Sequence, residues 1–265
     1  MVDIGVNLTN RAFARDPDAV IEGAMAAGVT RMIVTGTSVA HSEAALELCA
    51  RWPGVLWATA GIHPHHASEC DAAALRALEG LLAESAVVAV GECGLDFNRN
   101  YSPPEQQEAA FVAQLGLARD CGKPLFLHER DAHARQLELL DAEAAGLPGV
   151  AHCFTGDVAQ MRAYVARGLH VGVTGWVCDE RRGQALQAAV PEIPEDRLLL
   201  ETDAPWLVPR DLRPRPAGGR NEPRFLPHVC AAVARLRGAA PEAIAAVTTA
   251  NAERLFGLDR IPGAP

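Results

Sequence analysis

A short apolar run, often β-branched, recurs eight times along the 265-residue chain, and each recurrence precedes a longer stretch with helical spacing. The runs are VDIGVNL (2–8), RMIVTG (31–36), LWATAGIH (56–63), VVAVGEC (87–93), PLFLHER (124–130), GVAHCF (149–154), HVGVTGW (170–176) and LLLETDA (198–204). Strands this continuously apolar are buried on both faces, which is the signature of a parallel sheet covered by helices. Eight strand–helix units in roughly 250 residues predict an α/β chain folded as a (β/α)8 TIM barrel. A doubly wound open sheet would call for a Gly-rich phosphate turn, and neither G-x-G-x-x-G nor G-x-x-x-x-G-K-[ST] occurs. No linker or shift of composition divides the chain, so residues 1–265 read as one barrel domain.

Between the strands, Phe111, Leu115 and Ala118 share one face of a helix predicted over 105–119, and Leu75, Leu78 and Leu82 one over 72–84. Beyond the eighth strand come a long loop, a helix near 225–237, a last helix opened by Pro241 and stopped at Gly257, and a Pro/Gly-rich end.

Lys plus Arg number 24 against 33 Asp plus Glu, a formal charge of −9 that excludes a broad nucleic-acid-coating surface. It leaves room for a local basic rim or a bound ion that draws phosphate against the average field. Seven scattered cysteines with no C-x-x-C pair read as reduced thiols. With no leader-like opening and no apolar run of membrane-spanning length, a cytoplasmic protein without a membrane partner is expected.

The polar residues are informative by position. Asn7, His63, Glu92, His128, His152 and Asp203 each stand at or near the C-terminal end of a predicted strand. In a barrel those ends open onto one face, where active sites are built. A lone strand-end histidine is ordinarily structural, but Glu, His, His and Asp ending strands four, five, six and eight form a divalent-metal ligand set. Strand alternation adds Arg130 as a face-mate of His128, and Glu201 as one of Asp203. In His63-Pro64-His65-His66 the proline makes alternation unreliable, so His63 is kept as a site residue and His65 and His66 read as solvated loop. Cys93 and Cys153 read as packing thiols, and Trp176 and Trp206 as either base-stacking or packing residues. The loop after strand eight carries Arg210, Arg213, Arg215, Arg220 and Arg224 against Asp211 and Glu222, a local excess of positive charge suited to a phosphate rim.

The segments DIGVNL, TAGIHPH, VGECGLDFNRN, FLHERDAH, HCFTG, GVTGWVCDERR and ETDAPWLVPRDL closely resemble the TatD metal-dependent deoxyribonucleases over nearly the whole chain. The resemblance implies a (β/α)8 barrel, a divalent metal and hydrolysis of DNA phosphodiesters, as a 3′-to-5′ exonuclease preferring single strands, with RNA a further substrate. It implies DNA repair or degradation as the setting, and names no protein partner. By motif, Glu92, His128 and His152 resemble metal ligands, Asp203 a ligand or general base, and His63 a pocket residue. Arg130 joins His63 in facing phosphate charge, and Asn7 and Glu201 are expected at the substrate. Mg²⁺ is the expected ion, with Mn²⁺ or Zn²⁺ as alternatives, because phosphoryl transfer favours the first and histidine the others. Many relatives carry H-x-H at the end of strand one, where this chain has Gly5 and Asn7, so two ligands of a second metal are missing. The residues alone leave two rivals open: a metal-dependent hydrolase of a small amide, ester or lactone, and a noncatalytic nucleic-acid-binding barrel.

Overall fold

The computed structural model describes residues 1–258; residues 259–265, and with them the predicted Pro/Gly-rich end, lie outside the described residues. Eight strands form in the predicted order: β1 Val2–Val6, β2 Arg31–Val34, β3 Leu56–Ala60, β4 Val87–Asp96, β5 Leu125–Arg130, β6 Gly149–Ala151, β7 His170–Val173 and β8 Leu198–Leu200. They follow chain order in one sheet. The helices are α1 Pro17–Ala26, α2 Val39–Arg51, α3 Ala72–Leu82, α4 Pro104–Cys121, α5 His133–Glu143, α6 Val158–Ala166, α7 Gln184–Ala189, α8 Leu226–Arg237 and α9 Pro241–Phe256. A parallel sheet in chain order with a helix after every strand is the (β/α)8 barrel.

Local chemistry sets where the helices begin and end. Ser38 caps α2 by accepting from the His41 N–H, and Asp71 caps α3 by accepting from Ala73 and Ala74. Prolines occupy the first turn of α1, α4 and α8, where a missing N–H costs nothing. Buried Phe111, Leu115 and Ala118 on α4, and Leu78 and Leu82 on α3, are the predicted inner faces. No helix among the described residues is long and apolar enough to cross a membrane.

Most strands end before the apolar pattern does. Asn7 follows β1 directly and His152 follows β6, while His63 and Asp203 each lie three residues beyond their strands. β4 departs the other way, running on to Asp96 and leaving Glu92 inside the strand, and His128 likewise lies within β5. Simple alternation also fails at the key position, because the β4–β5 register shifts between Gly91 and Cys93, making Glu92 the bulged residue.

Contacts group the described residues into two units, one of Met1–Val34, Cys153–Ala166 and His170–Arg254, the other of Thr35–His152, Arg167–Leu169 and 255–258. In the first unit β7 pairs with β8 and β1 with β2, both in parallel. There Asp203 N–H donates to Gly5 at 2.9 Å and Asn7 N–H to Ala204 at 2.8 Å, which stitches the end of β8 to β1. In the second unit β3, β4, β5 and β6 pair successively in parallel. Gly91 and Gly94 permit the close approach of β4 to β5: with φ of 141° and 144°, a Cβ on them would fall 2.1 Å from the Phe126 carbonyl oxygen and 2.0 Å from that of His128. These glycines let Glu92 and Asp96 come within hydrogen-bonding distance of the imidazole on β5.

Candidate metal centre

Within the second unit one carboxylate oxygen faces three imidazoles. Glu92 Oε1 lies 2.9 Å from His128 Nδ1, 3.5 Å from His63 Nε2 and 3.7 Å from His152 Nε2. On the far side of the His128 ring, Nε2 is 3.3 Å from Asp96 Oδ2, and the same oxygen is 2.8 Å from His65 Nε2. The result is a continuous row of alternating imidazole and carboxylate groups. Glu92, Asp96, His63 and His152 are buried, and the His152 ring lies against Phe126 with centroids 4.5 Å apart.

Burial opposes ionisation of Glu92, but the facing His63 and His152 rings and the hydrogen bond from His128 prevail and hold it well below the ordinary glutamate value. Burial likewise opposes a charged His128, and the hydrogen bonds to Asp96 and Glu92 overcome it, raising the ring to about 9. Asp96 is lowered despite its own desolvation by the hydrogen bonds from His128 and His65. His63 goes the other way, lowered to about 4 chiefly by burial, so it is neutral near pH 7. Its Nδ1 accepts the His65 backbone N–H at 3.1 Å, which leaves the ring proton on Nε2, the nitrogen turned toward Glu92. His63 is thereby an N–H donor aimed into the cluster.

The ligand atoms of His63, Glu92 and His128 all lie within 4.8 Å of one another, and imidazole nitrogens around an ionised carboxylate suit a divalent ion. Glu92 with His128 and His152 fits such an ion, while His63 in its Nε2–H form is a donor beside it and not a ligand. A cation there would take over the role that the His128 proton plays in the row, since both neutralise Glu92.

The structure brings together Glu92, His63, His128 and His152. Arg130, at the end of β5, is half-exposed, with Nε 4.0 Å from Asp131 Oδ1. The remaining predicted residues belong to the first unit. Asn7 Nδ2 donates to Asp203 Oδ1 at 3.0 Å, and the fully buried Glu201 accepts the Cys153 backbone N–H. Cys93 is the packing thiol expected, whereas Cys153 is only partly buried, its Sγ 3.9 Å from Thr174 Oγ1.

Two members of the row, His65 and Asp96, are not among the expected site residues. His65 is not a solvated loop residue: it binds Asp96 and stacks edge-on against His63 and Tyr101. The strand predicted over 87–93 stops short of Asp96. The alternation Glu92-x-Gly94-x-Asp96 was the available signal, hidden by a glycine that reads as a strand breaker.

The arginine loop is more neutral than its composition suggested. Arg220 forks onto Asp16 with both contacts at 2.8 Å and also reaches Glu222, Arg224 pairs with Glu222 at 2.8 Å, and Arg210 lies 3.7 Å from Glu180. Next to it, Arg11, Arg15, Arg220 and the half-exposed Trp206 line an open cleft of about 900 Å³.

A (β/α)8 barrel with a histidine–carboxylate centre built on its strands belongs to the class of metal-site hydrolase barrels. The family model described as TatD related DNase matches residues 2–257, and the chain belongs to that family. It is 55% identical over 97% of its length to the "3′-5′ ssDNA/RNA exonuclease TatD" of Erwinia billingiae, 99% of which is covered. With the protein of the same name from Salmonella typhimurium it shares 53% identity over 97% of this chain and 98% of the relative. A crystal structure of a TatD homologue from Escherichia coli K12 superposes with a TM-score of 0.88 at 29% identity, covering 97% of this chain and 98% of that one.

Proposed function

We propose that this protein is a metal-dependent nuclease that removes nucleotides from the 3′ end of single-stranded DNA and RNA. The observation that carries the proposal is the Glu92 carboxylate faced by His63, His128 and His152 in a chain whose relatives of more than half identity are named as such exonucleases. Glu92, His128 and His152 would hold a divalent ion, with Asp203 as a further ligand or as the general base, Mg²⁺ first and Mn²⁺ or Zn²⁺ in its place. When bound, such an ion polarises the phosphoryl oxygen and lowers the pKa of water.

The chain's own groups do the rest. His63 offers its Nε2–H to a phosphate oxygen, and being neutral it donates without adding a charge that Glu92 would hold back. Asp203, oriented by the Asn7 amide at 3.0 Å, accepts the proton of the attacking water. Arg130 faces phosphate charge, and Asn7 positions the substrate end, as does Glu201 from beneath through the Cys153 backbone it holds. Asp96 and His65 keep the His128 ring turned toward Glu92. Trp206, with Arg11 and Arg15 beside it, provides a stacking and charge-matching path for a single strand. We read residues 1–265 as one hydrolase domain of the cytoplasm, engaged in DNA degradation or repair, in keeping with a family match that runs unbroken over 2–257.

The test is cleavage of 3′-labelled and 5′-labelled single strands by metal-stripped protein, then with Mg²⁺, Mn²⁺ or Zn²⁺ restored, beside Glu92→Ala. Metal-restored shortening from the 3′ end, reduced by about 10²-fold or more in the variant, is expected. Folded wild-type protein that cleaves no strand with any of the ions would move the assignment to a small-molecule hydrolase or a binding barrel.

A further inference from the structure

Cys178, Asp211 and His228 come from three segments of the first unit: the 3-10 turn Gly175–Cys178 after β7, the loop after β8, and the first turn of α8. Their sulfur, carboxylate and imidazole ligand atoms all lie within 4.8 Å of one another. His228 Nε2 is 2.7 Å from Asp211 Oδ1, and the Cys178 sulfur lies within 4.8 Å of both ligand atoms. The cluster shares no residue with the histidine–carboxylate row. Cys178 is buried, His228 half-buried and Asp211 exposed, so the group is anchored at one side and open to solvent at the other.

We infer that Cys178, Asp211 and His228 form a second, transition-metal site that takes Zn²⁺ or an ion of similar softness. One thiolate, one imidazole and one carboxylate are three of the four ligands of a tetrahedral zinc, and the open side leaves the fourth position to water. Zinc–ligand bonds of about 2.0–2.3 Å place neighbouring ligand atoms roughly 3–4 Å apart, so the three side chains close by small rotations. Hard ions such as Mg²⁺ bind oxygen and decline thiolate, so Mg²⁺ loads the proposed nuclease centre and leaves this site free.

Loading exchanges one bond for another. The Cys178 S–H bond breaks, a sulfur–metal bond forms, and the proton leaves to solvent. Burial and Asp211 push the free thiol up to about 12, with Arg235 opposing them, so without an ion the proton stays on sulfur. Asp211 is held ionised, its own desolvation outweighed by the contact with His228. The ion would fasten the turn after β7, the loop after β8 and α8 to one another. The same segments already share a contact between Arg210 and Glu180 at 3.7 Å, and Arg210 lies next to the ligand Asp211.

The experiment is titration of metal-stripped, full-length protein with Co²⁺ under a non-thiol reductant, following the near-ultraviolet thiolate-to-cobalt charge-transfer band. No thiolate belongs to the histidine–carboxylate row, so this band reports the second site alone. The band should saturate by two equivalents, the nuclease centre taking the other ion, be erased by excess Zn²⁺ but not by excess Mg²⁺, and be absent from Cys178→Ser. Asp211→Asn, at an exposed position that does not threaten folding, should weaken Co²⁺ binding by at least tenfold. Mg²⁺-supported strand cleavage should survive in Cys178→Ser, which separates failure of this site from failure of the nuclease assignment. No thiolate band in wild type, the same band in Cys178→Ser, or an Asp211→Asn titration indistinguishable from wild type would each overturn the inference.

Discussion

Asp3 on β1 and Glu92 on β4 are both strand carboxylates shut away from solvent, yet burial decides the ionisation of the first and is overcome at the second. Asp3 is met only by neutral donors: its Oδ1 accepts the Thr202 N–H at 2.9 Å and its Oδ2 the Thr202 hydroxyl at 2.5 Å. Desolvation prevails over those hydrogen bonds, and the carboxyl is raised from 3.8 to about 7. Glu92 is buried as deeply, but three imidazoles face it, and it remains ionised. Depth alone therefore does not make a functional carboxylate. Asp3 fastens β1 to the end of β8, and Glu92 is left as an anion with cation-binding neighbours.

The largest effect expected from this contrast is on stability against pH. An unfolded aspartate loses its proton near 3.8, while folded Asp3 keeps it until about 7. Through that window the unfolded state is the more deprotonated one, so raising the pH favours unfolding and the contribution of Asp3 is gone once the pH exceeds the folded value. Between about pH 5 and pH 8 the loss is on the order of 3 kcal/mol. Asp3→Asn, neutral throughout and still able to accept the Thr202 N–H, should remove that slope. Urea unfolding of both proteins at the two pH values isolates Asp3, because every other titrating group is common to them. Parallel slopes would mean that the threonine hydrogen bonds keep Asp3 ionised, and the contrast with Glu92 would collapse.

At the other pole, the comparison is sharpened by altering the row without touching Glu92. Asp96→Asn removes the charge that faces His128 Nε2 at 3.3 Å while preserving the shape of the side chain. It should weaken divalent-ion binding by about 10–100-fold, the usual cost of losing a carboxylate behind a ligating histidine. Isothermal titration with Mn²⁺ measures it. An affinity equal to wild type would leave His128 oriented by Glu92 alone and Asp96 with no part in the centre.

The difference between these two regions also explains what could be read in advance. The eight strands were legible because buried parallel strands must be apolar along their length, and that pattern survives any detail of packing. Their ends were less so: Thr35, Gly36, Gly61 and Ile62 continue the apolar run of their strands but lie in the turns beyond β2 and β3. Glu92, His128 and His152 stood out because a polar residue interrupts an apolar run. Asp96 lay beyond a glycine that reads as a break, while the backbone uses it for the close approach of β4 to β5. His65 follows a proline that ends regular alternation, and its role depends on Asp96, 31 positions away. Cys178, Asp211 and His228 lie in three separate segments with no local spacing that announces them.

A third acid, Asp16, completes the series at the surface and should show the smallest effect. It takes a forked ion pair from Arg220, whose guanidinium also sits 5.1 Å over the Phe13 ring and donates to the Ala12 carbonyl at 2.9 Å. Asp16 is lowered by that partner, as Glu92 is by its histidines, but here water screens the pair instead of being excluded. Arg220→Gln should lower the thermal midpoint slightly at low salt, and the difference should vanish near 1 M salt, where the screening length is about 3 Å. A loss that persists undiminished at high salt would assign the residue's contribution to packing over Phe13 and its hydrogen bond to Ala12. The series would then reduce to its two buried members, and only charges excluded from water would be ordered by their partners.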